Sequence, residues 1–366
     1  MSGFYPVSAS AKRCDPMKKI PKAAIVGTGW IAGLHARALC DLHIPLVAVL
    51  ASTEDKAKTF ASEYGISAYG TDPAVLKEAD CVHICTPPAA HGALISQLLE
   101  QGKHIFCEKP LTLEPAEGEA LCALAEEKGL HCAVGFNVRF YPALQKAKEL
   151  VASPEFGRLI LIHGSYLQEF GAEPAALSWR YRDPLHAVSE IGSHWLDLAQ
   201  YVSGRSVTAL SALFDRFQPE RYEKDGLLYL NPTPDRRTYY VPSEDAAVLN
   251  LRFTGGAIGS VVLSELSHGH SNSLSLELTG TKQTISWNSL QPHLLSLAEK
   301  GKTQILELGG EFAETFTYEI ADYYAALQQK SPLRCADFRE AGCNVRLCSL
   351  AKESADRNGQ WMEVEP

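Results

Sequence analysis

The chain has 366 residues, 46% hydrophobic and 21% charged, so it is long enough for two hydrophobic cores and reads as globular. Its formal net charge of −9 at pH 7 excludes a general affinity for nucleic acid or for an anionic membrane, because both repel an acidic surface. No run is long and apolar enough to cross a bilayer as a helix.

Residues 1–19 lack the apolar core of a secretion signal and contain no twin arginine, and a strand pattern follows them directly. The ten cysteines are therefore expected as thiols in a cytoplasmic protein. Neither Cys81 with Cys85 nor Cys335, Cys343 and Cys348 has the close paired spacing of a structural zinc site. His186, Glu190 and His194 are spaced one helical turn apart and are the one trio placed to share a metal; without visible supporting partners, no metal is expected.

Lys22–Val26 opens as a strand, Gly27-Thr28-Gly29-Trp30-Ile31-Ala32 makes a G-x-G-x-x-A turn, and Ala32–Leu42 continues as a helix rich in Ala and Leu. This is the context a dinucleotide fingerprint requires. Gly27 permits the tight turn, Gly29 lets a pyrophosphate approach the backbone, and Ala32 lets helix pack on strand, while free amides at the helix start bind phosphate. Trp30 and Ile31 complete the cofactor-binding turn.

A strand at Leu46–Leu50, a helix near Glu54–Tyr64, a strand at Cys81–Cys85, a helix near His91–Gln101 and a strand at His104–Cys107 follow. The alternation predicts an α/β fold with a doubly wound parallel sheet covered on both faces. NAD selection ordinarily needs an acid at the end of the second strand, and that position falls near Ala51 or Ser52. No arginine is there to clamp a 2′-phosphate either. Ser52, Thr53 and Lys56 accommodate both, leaving NAD and NADP open.

With the fingerprint, Thr86-Pro87-Pro88 at a strand end, Glu108-Lys109-Pro110, Asn137-Val138-Arg139-Phe140 and the Glu190–Asp197 block in that order, the chain resembles the Gfo/Idh/MocA family of oxidoreductases from about residue 22 to near its C-terminus. The resemblance implies a Rossmann domain at residues 20–140. It implies a substrate-binding and oligomerisation α/β domain at 141–366, whose open, largely antiparallel sheet lays a sugar or cyclitol over the nicotinamide. It also implies a homodimer or homotetramer. Lys109 matches the catalytic lysine, Glu108 an acid that touches the cofactor ribose, and Glu190 with His194 the D-x-x-x-H pair, with glutamate where aspartate is commoner. Thr86, Pro87, His91 and Lys109 join the expected cofactor contacts.

Residues 190, 194 and 197 stand at i, i+4 and i+7, so Glu190 or Asp197 is expected to orient the His194 imidazole and favour its charged form. Lys109 precedes proline and is biased to extended backbone at the sheet's C-terminal edge. The expected step follows: His194 takes a hydroxyl proton, Lys109 steadies the oxygen, and the carbinol hydride passes to the nicotinamide.

Beyond Gly157, Leu249, Leu251 and Phe253, then Leu274, Leu276 and Leu278, alternate with polar neighbours as half-buried strands. Gly255-Gly256, Gly280-Thr281 and Gly301-Lys302 mark hairpin turns. Residues 218–243 break this rhythm and are expected as an irregular lid or subunit contact. Arg139, Tyr166, Trp179, Arg180 and Asp197 are the substrate-contact candidates.

The leading function is hydride transfer at a secondary hydroxyl of a sugar, a glycoside, with C3 the narrower guess, or a cyclitol. A glycosidase that oxidises its sugar transiently, and a non-catalytic sugar and nucleotide sensor, are the alternatives. Possession of both Lys109 and His194 speaks against the sensor.

Overall fold

A computed structural model of the chain describes residues 20–183 and 185–365. The first half alternates β1 (Ala23–Val26), α1 (Trp30–Asp41), β2 (Leu46–Leu50), α2 (Glu54–Tyr64), β3 (Ala68–Gly70), β4 (Cys81–Ile84), α3 (His91–Glu100), β5 (His104–Glu108), α4 (Pro115–Lys128) and β6 (Cys132–Gly135). β1, β4 and β6 are buried at every position, as strands covered on both faces must be, which is why their sequences show no alternation. The six strands run parallel in the order β3-β2-β1-β4-β5-β6. The order reverses beside β1 and β4, and the crevice at their carboxyl ends is where such sheets bind ligands.

The second half begins with α5 (Pro142–Val151), β7 (Leu159–Leu167), β8 (Ala175–Ala176), α6 (Ser193–Ser203) and β9 (Val207–Asp215). Strands β10 (Glu220–Lys224), β11 (Leu227–Tyr229), β12 (Arg237–Tyr240), β13 (Ala246–Phe253), β14 (Ile258–Ser264), β15 (Ser273–Gly280), β16 (Thr284–Asn288), β17 (Leu294–Glu299) and β18 (Lys302–Glu307) follow. The chain ends with α7 (Phe312–Leu327), β19 (Ala336–Asp337), α8 (Phe338–Asp356) and β20 (Met362–Glu363).

A nine-stranded sheet, β18-β17-β16-β15-β7-β14-β13-β9-β20, pairs antiparallel throughout except for β7 with β14. The alternating leucines of β13 and β15 point to one face and pack with Leu144 of α5 and Trp195 and Leu196 of α6. Gly164 of β7 makes that packing fit, because a Cβ there would collide with the Ser275 carbonyl and stand 2.7 Å from Trp195 Nε1. The Trp195 indole donates to the Ser275 carbonyl (2.9 Å), fixing the helix turn that carries its neighbour His194.

Two expectations need correction. Residues 218–243 are not irregular: β10, β11 and β12 form a four-stranded antiparallel sheet with β8. Its anchor is Arg221, buried beneath the sheet, with Nη1 donating to the Gly171 carbonyl (2.8 Å) and Nε to that of Gln218 (3.2 Å). The strands are too short, and too broken by turns, to show a sequence rhythm.

The division at residues 140 and 141 is not respected by the C-terminal elements. β19 adds an antiparallel edge to the parallel sheet beside β6. Phe316, Ile320, Tyr323 and Tyr324 of α7 sit in the same core cluster as Ile25, Ala32 and Leu39. Burying each such side chain contributes roughly 1.5–3 kcal/mol, so α7 belongs energetically to the dinucleotide-binding half.

Candidate active site

The site grows from the carboxyl ends of β1, β4 and β5. Gly27 has φ 107°, and a Cβ on it would lie 2.5 Å from the Cys85 carbonyl oxygen, so only glycine turns there. Gly29 precedes α1, whose first turn has no side-chain cap, and a Cβ on Gly29 would meet nothing within 4 Å. Free amides and open space together make the anion cradle that a pyrophosphate needs. Thr86 Oγ1, just past β4, is buried with no hydrogen-bond partner, a polar atom awaiting a ligand. Trp30, 72% exposed, stacks on Phe312 of α7 (centroids 6.2 Å apart), while Ala32 is wholly buried and Ile31 packs against the core around it. These features fit a dinucleotide.

At the end of β2, Ala51 is buried, Ser52 is exposed and Thr53 caps α2, its Oγ1 accepting from the Lys56 amide (3.4 Å). Glu54 and Asp55 occupy the first turn beyond and add negative charge beside Ser52. Lys56 is exposed on that helix.

Glu108 ends β5, Lys109 follows it, and their side chains diverge. Glu108 accepts from His35 Nε2 (2.9 Å). Lys109 Nζ donates to the Glu190 carbonyl (3.0 Å) and to Glu190 Oε2 (3.3 Å). The same oxygen accepts from Arg180 Nε (2.7 Å), whose guanidinium lies over the Trp179 ring (4.5 Å). Burial pushes the Glu190 carboxyl up, but Lys109 and Arg180 overcome it and hold the group down to about 2. Glu190 is therefore an anion that clamps the lysine and ties it to the Trp179–Arg180 segment.

Glu190 lies in a π-helical turn, Val188–Gly192, that runs into α6. Such insertions re-aim side chains at functional sites. His194, in the first turn of α6, packs edge-on against Phe136 (5.8 Å) and near Tyr166 (6.4 Å). Its Nδ1 is buried without a partner, leaving Nε2 as the ring atom available to a substrate. Tyr166 is nearly buried, and its hydroxyl donates to Asn272 Oδ1 (2.8 Å), which also accepts from Gln168 Nε2 (2.7 Å). With both donors on its oxygen, Asn272 has its amide NH2 left over.

Several expected roles are overturned. Asp197 does not orient His194: it is buried against Arg139, which donates from Nε (2.8 Å) and Nη2 (2.5 Å). Arg139 also donates to Glu340 (2.9 Å) and the Arg334 carbonyl (3.3 Å), so neither member of this pair reaches a substrate. The π turn breaks the regular i, i+4, i+7 face that the spacing had suggested. His194 is not held charged: burial and then Lys109 push its imidazole down to about 3, and Glu190 only partly offsets them. His91 is fully buried, with Nδ1 against the Pro110 carbonyl (2.9 Å) and Nε2 against that of Thr86 (2.9 Å), so it braces the loops after β4 and β5 rather than touching a cofactor.

His186 pairs with Glu265 (3.0 Å) while Glu190 holds Lys109, which separates the trio weighed as a metal site. Among the described residues, no group of three or more His, Cys, Asp and Glu is placed to hold a metal, the cysteines are free thiols, and no helix is long and apolar enough to cross a membrane. Asn272 and Gln168 were missed. Pairing of β7 with β15 brings Asn272 beside Tyr166 across 106 positions, and no local pattern marks that register.

A dinucleotide cradle facing a lysine and a neutral imidazole defines a nicotinamide-dependent oxidoreductase. The chain belongs to the Gfo/Idh/MocA oxidoreductase family: the model for the oxidoreductase family with an NAD-binding Rossmann fold matches residues 22–136, and that for the GFO/IDH/MocA C-terminal domain matches residues 144–286. Levoglucosan dehydrogenase of Pseudarthrobacter phenanthrenivorans is 29% identical, the alignment covering 93% of this chain and 97% of that one. The NAD(+)-dependent scyllo-inositol 2-dehydrogenase of Bacillus subtilis is 29% identical over 94% of this chain and 96% of its own. A solved structure of levoglucosan dehydrogenase in complex with NADH and L-sorbose shares the fold, with a TM-score of 0.85 at 24% identity over 94% of this chain and 99% of that one.

Proposed function

We propose that the protein oxidises a secondary hydroxyl of a sugar, glycoside or cyclitol with NAD, and runs the reverse reduction. The observation that carries this reading is the meeting of Lys109, just past β5, with His194, at the carboxyl edge of the sheet that also carries the open glycine turn. Bound NAD supplies the hydride acceptor. Glu108 would hold ribose hydroxyls, and the Thr86 hydroxyl and the α1 amides would hold other polar groups of the cofactor.

His194 Nε2 accepts the substrate proton and Lys109 donates to the oxygen left behind. The low basicity of His194 is no obstacle, because after burial its second cause is the Lys109 charge, and an alkoxide forming against that ammonium offsets this charge as the proton arrives. Glu190 keeps Lys109 in place, and Arg180, Trp179, Tyr166 and the free Asn272 amide line the substrate side. This lining is polar and carries both signs of charge, which suits a neutral polyol. The two relatives named for a sugar and an inositol agree with it. The β10–β12 sheet, packed through Arg221 and Tyr181 against the Trp179–Arg180 segment, serves as the outer wall for whatever a glycoside carries at its anomeric position.

Glu54 and Asp55 beside Ser52 repel a 2′-phosphate, which favours NAD. A panel of sugars, glycosides and inositols with each cofactor tests both parts. The expected result is reduced nicotinamide from at least one secondary alcohol, with kcat/KM for NAD above that for NADP by about tenfold or more, equivalent to one modest charge repulsion. Silence across the panel, or preference for NADP, would contradict the reading. For a glycoside substrate, the position of the ketone in the product decides whether C3 is the site.

The outer face of the nine-stranded sheet exposes Leu213, Val248, Ile258, Val262 and Ile305. An apolar sheet face of this kind is stable when covered, and a second copy of the chain presents the same surface. A homodimer or homotetramer is expected by sedimentation at micromolar concentration, in a reducing cytoplasm where the free thiols persist. A monomer would overturn the oligomer.

A further inference from the structure

Behind Glu108, away from the substrate side, lies a chain of polar side chains that the reaction does not use. His35 of α1 gives Nε2 to Glu108 Oε1 at 2.9 Å, and its Nδ1 lies 3.0 Å from Nδ1 of His83 on β4. His83 Nε2 in turn lies 3.1 Å from the Tyr324 hydroxyl on α7. Both histidines are completely buried and Tyr324 nearly so. The His83 ring is stacked between Phe106 (5.1 Å) and Tyr324 (5.9 Å), so it has no room to turn towards other partners.

We propose that His83 and Tyr324 are positioning residues that fix the tautomer of His35, so that it holds Glu108 as a carboxylate aimed at the nicotinamide ribose. The proposal rests on Glu108 being the ribose ligand. Its logic is one of proton counting. A carboxylate only accepts, so His35 carries a proton on Nε2. Two nitrogens 3.0 Å apart form a hydrogen bond only if one is protonated and the other bare. With His35 neutral, its Nδ1 is bare, His83 carries its proton on Nδ1, and His83 Nε2 is bare towards the tyrosine hydroxyl, which donates.

Every buried donor then has an acceptor, and the only charge sits on Glu108, at the partly exposed end. Charging His35 instead would place a cation where no water reaches and would make His83 donate to Tyr324, turning that hydroxyl's own proton away from the chain. The side-chain chemistry agrees at the far end: burial keeps His83 well below the usual histidine range and pushes the Tyr324 phenol up. At its far end the Tyr324 hydroxyl meets the Cys81 thiol, and both are buried, so the chain serves to hold Glu108.

The decisive experiment is nitrogen-15 NMR of the histidine-labelled full-length protein, with His83→Asn used to assign its signals. The expected pattern is His35 protonated on Nε2 and His83 on Nδ1, with the His83 signals unchanged across the ordinary histidine titration range. The opposite tautomers, or a charged imidazole at either position, would overturn the proposal.

Calorimetry with NAD provides the second reading. Asn keeps a donor near the Nδ1 position and Leu does not, so His83→Leu is expected to weaken NAD about tenfold while kcat at saturating NAD stays near that of wild type, and His83→Asn restores affinity. Equal weakening by both variants would sink the positioning role. If a variant fails to fold, the tautomers of the wild-type protein decide alone. Glu108→Gln separates the two layers: unchanged NAD affinity in that variant removes Glu108 as ribose ligand, whatever the tautomers are.

Discussion

Lys109→Met is expected to lower kcat by about three orders of magnitude, the loss typical of removing a preorganised donor to a developing oxyanion together with support for proton transfer. The variant should fold and bind NAD, because Lys109 is tied to Glu190 and not to the phosphate cradle. Glu190 keeps Arg180 as a partner, so its charge is not orphaned. Removing Lys109 also removes one of the two causes that depress His194, so the imidazole should titrate at a higher pH than in the wild-type protein. Steady-state kinetics at saturating NAD, with the histidine titration followed by NMR, measures both effects. A loss of activity below tenfold, with the fold intact, would remove Lys109 from the chemistry.

The second large effect falls on stability. Arg139→Leu leaves Asp197 buried without its two charged hydrogen bonds, and breaking a buried pair from one side typically costs about 3–5 kcal/mol. Burial pushes the Asp197 carboxyl up and Arg139 opposes it, so without the arginine Asp197 should take up a proton instead of remaining charged. Replacing both residues with leucine should recover part of the loss, since no lone charge then stays inside. Denaturant unfolding of the two variants tests this. Unchanged stability of Arg139→Leu with a raised substrate KM would return Arg139 to the substrate pocket.

How far the site was legible follows from the range over which each signal acts. The G-x-G-x-x-A turn, the strand ends and Glu108-Lys109-Pro110 are local patterns, and the parallel sheet places them together by topology alone. The alternating leucines of β13 and β15 likewise mark one face of a sheet without any knowledge of its partners.

What the sequence hid is partner choice. Spacing put Glu190, His194 and Asp197 on one helical face, but a π turn and two arginines from other segments claimed the acids. An arginine in a family-like motif looked like a substrate contact, and only the packing of α6 and α8 around it makes it structural. The return of α7 and β19 to the first sheet, and the Glu108–His35–His83–Tyr324 chain that α7 completes, join residues hundreds of positions apart. The short strands of 218–243 depend on Arg221 as a buried anchor, which composition presents as an ordinary surface cation.

The central claim, that Lys109 and His194 direct hydride from a carbinol carbon to NAD, is tested most directly by following the label from a polyol deuterated at its secondary carbinol positions. Mass spectrometry should find deuterium in the reduced cofactor with the wild-type protein and about a thousandfold less per unit time with Lys109→Met. Absence of label from the cofactor while the substrate is consumed, or equal transfer by the variant, would contradict it.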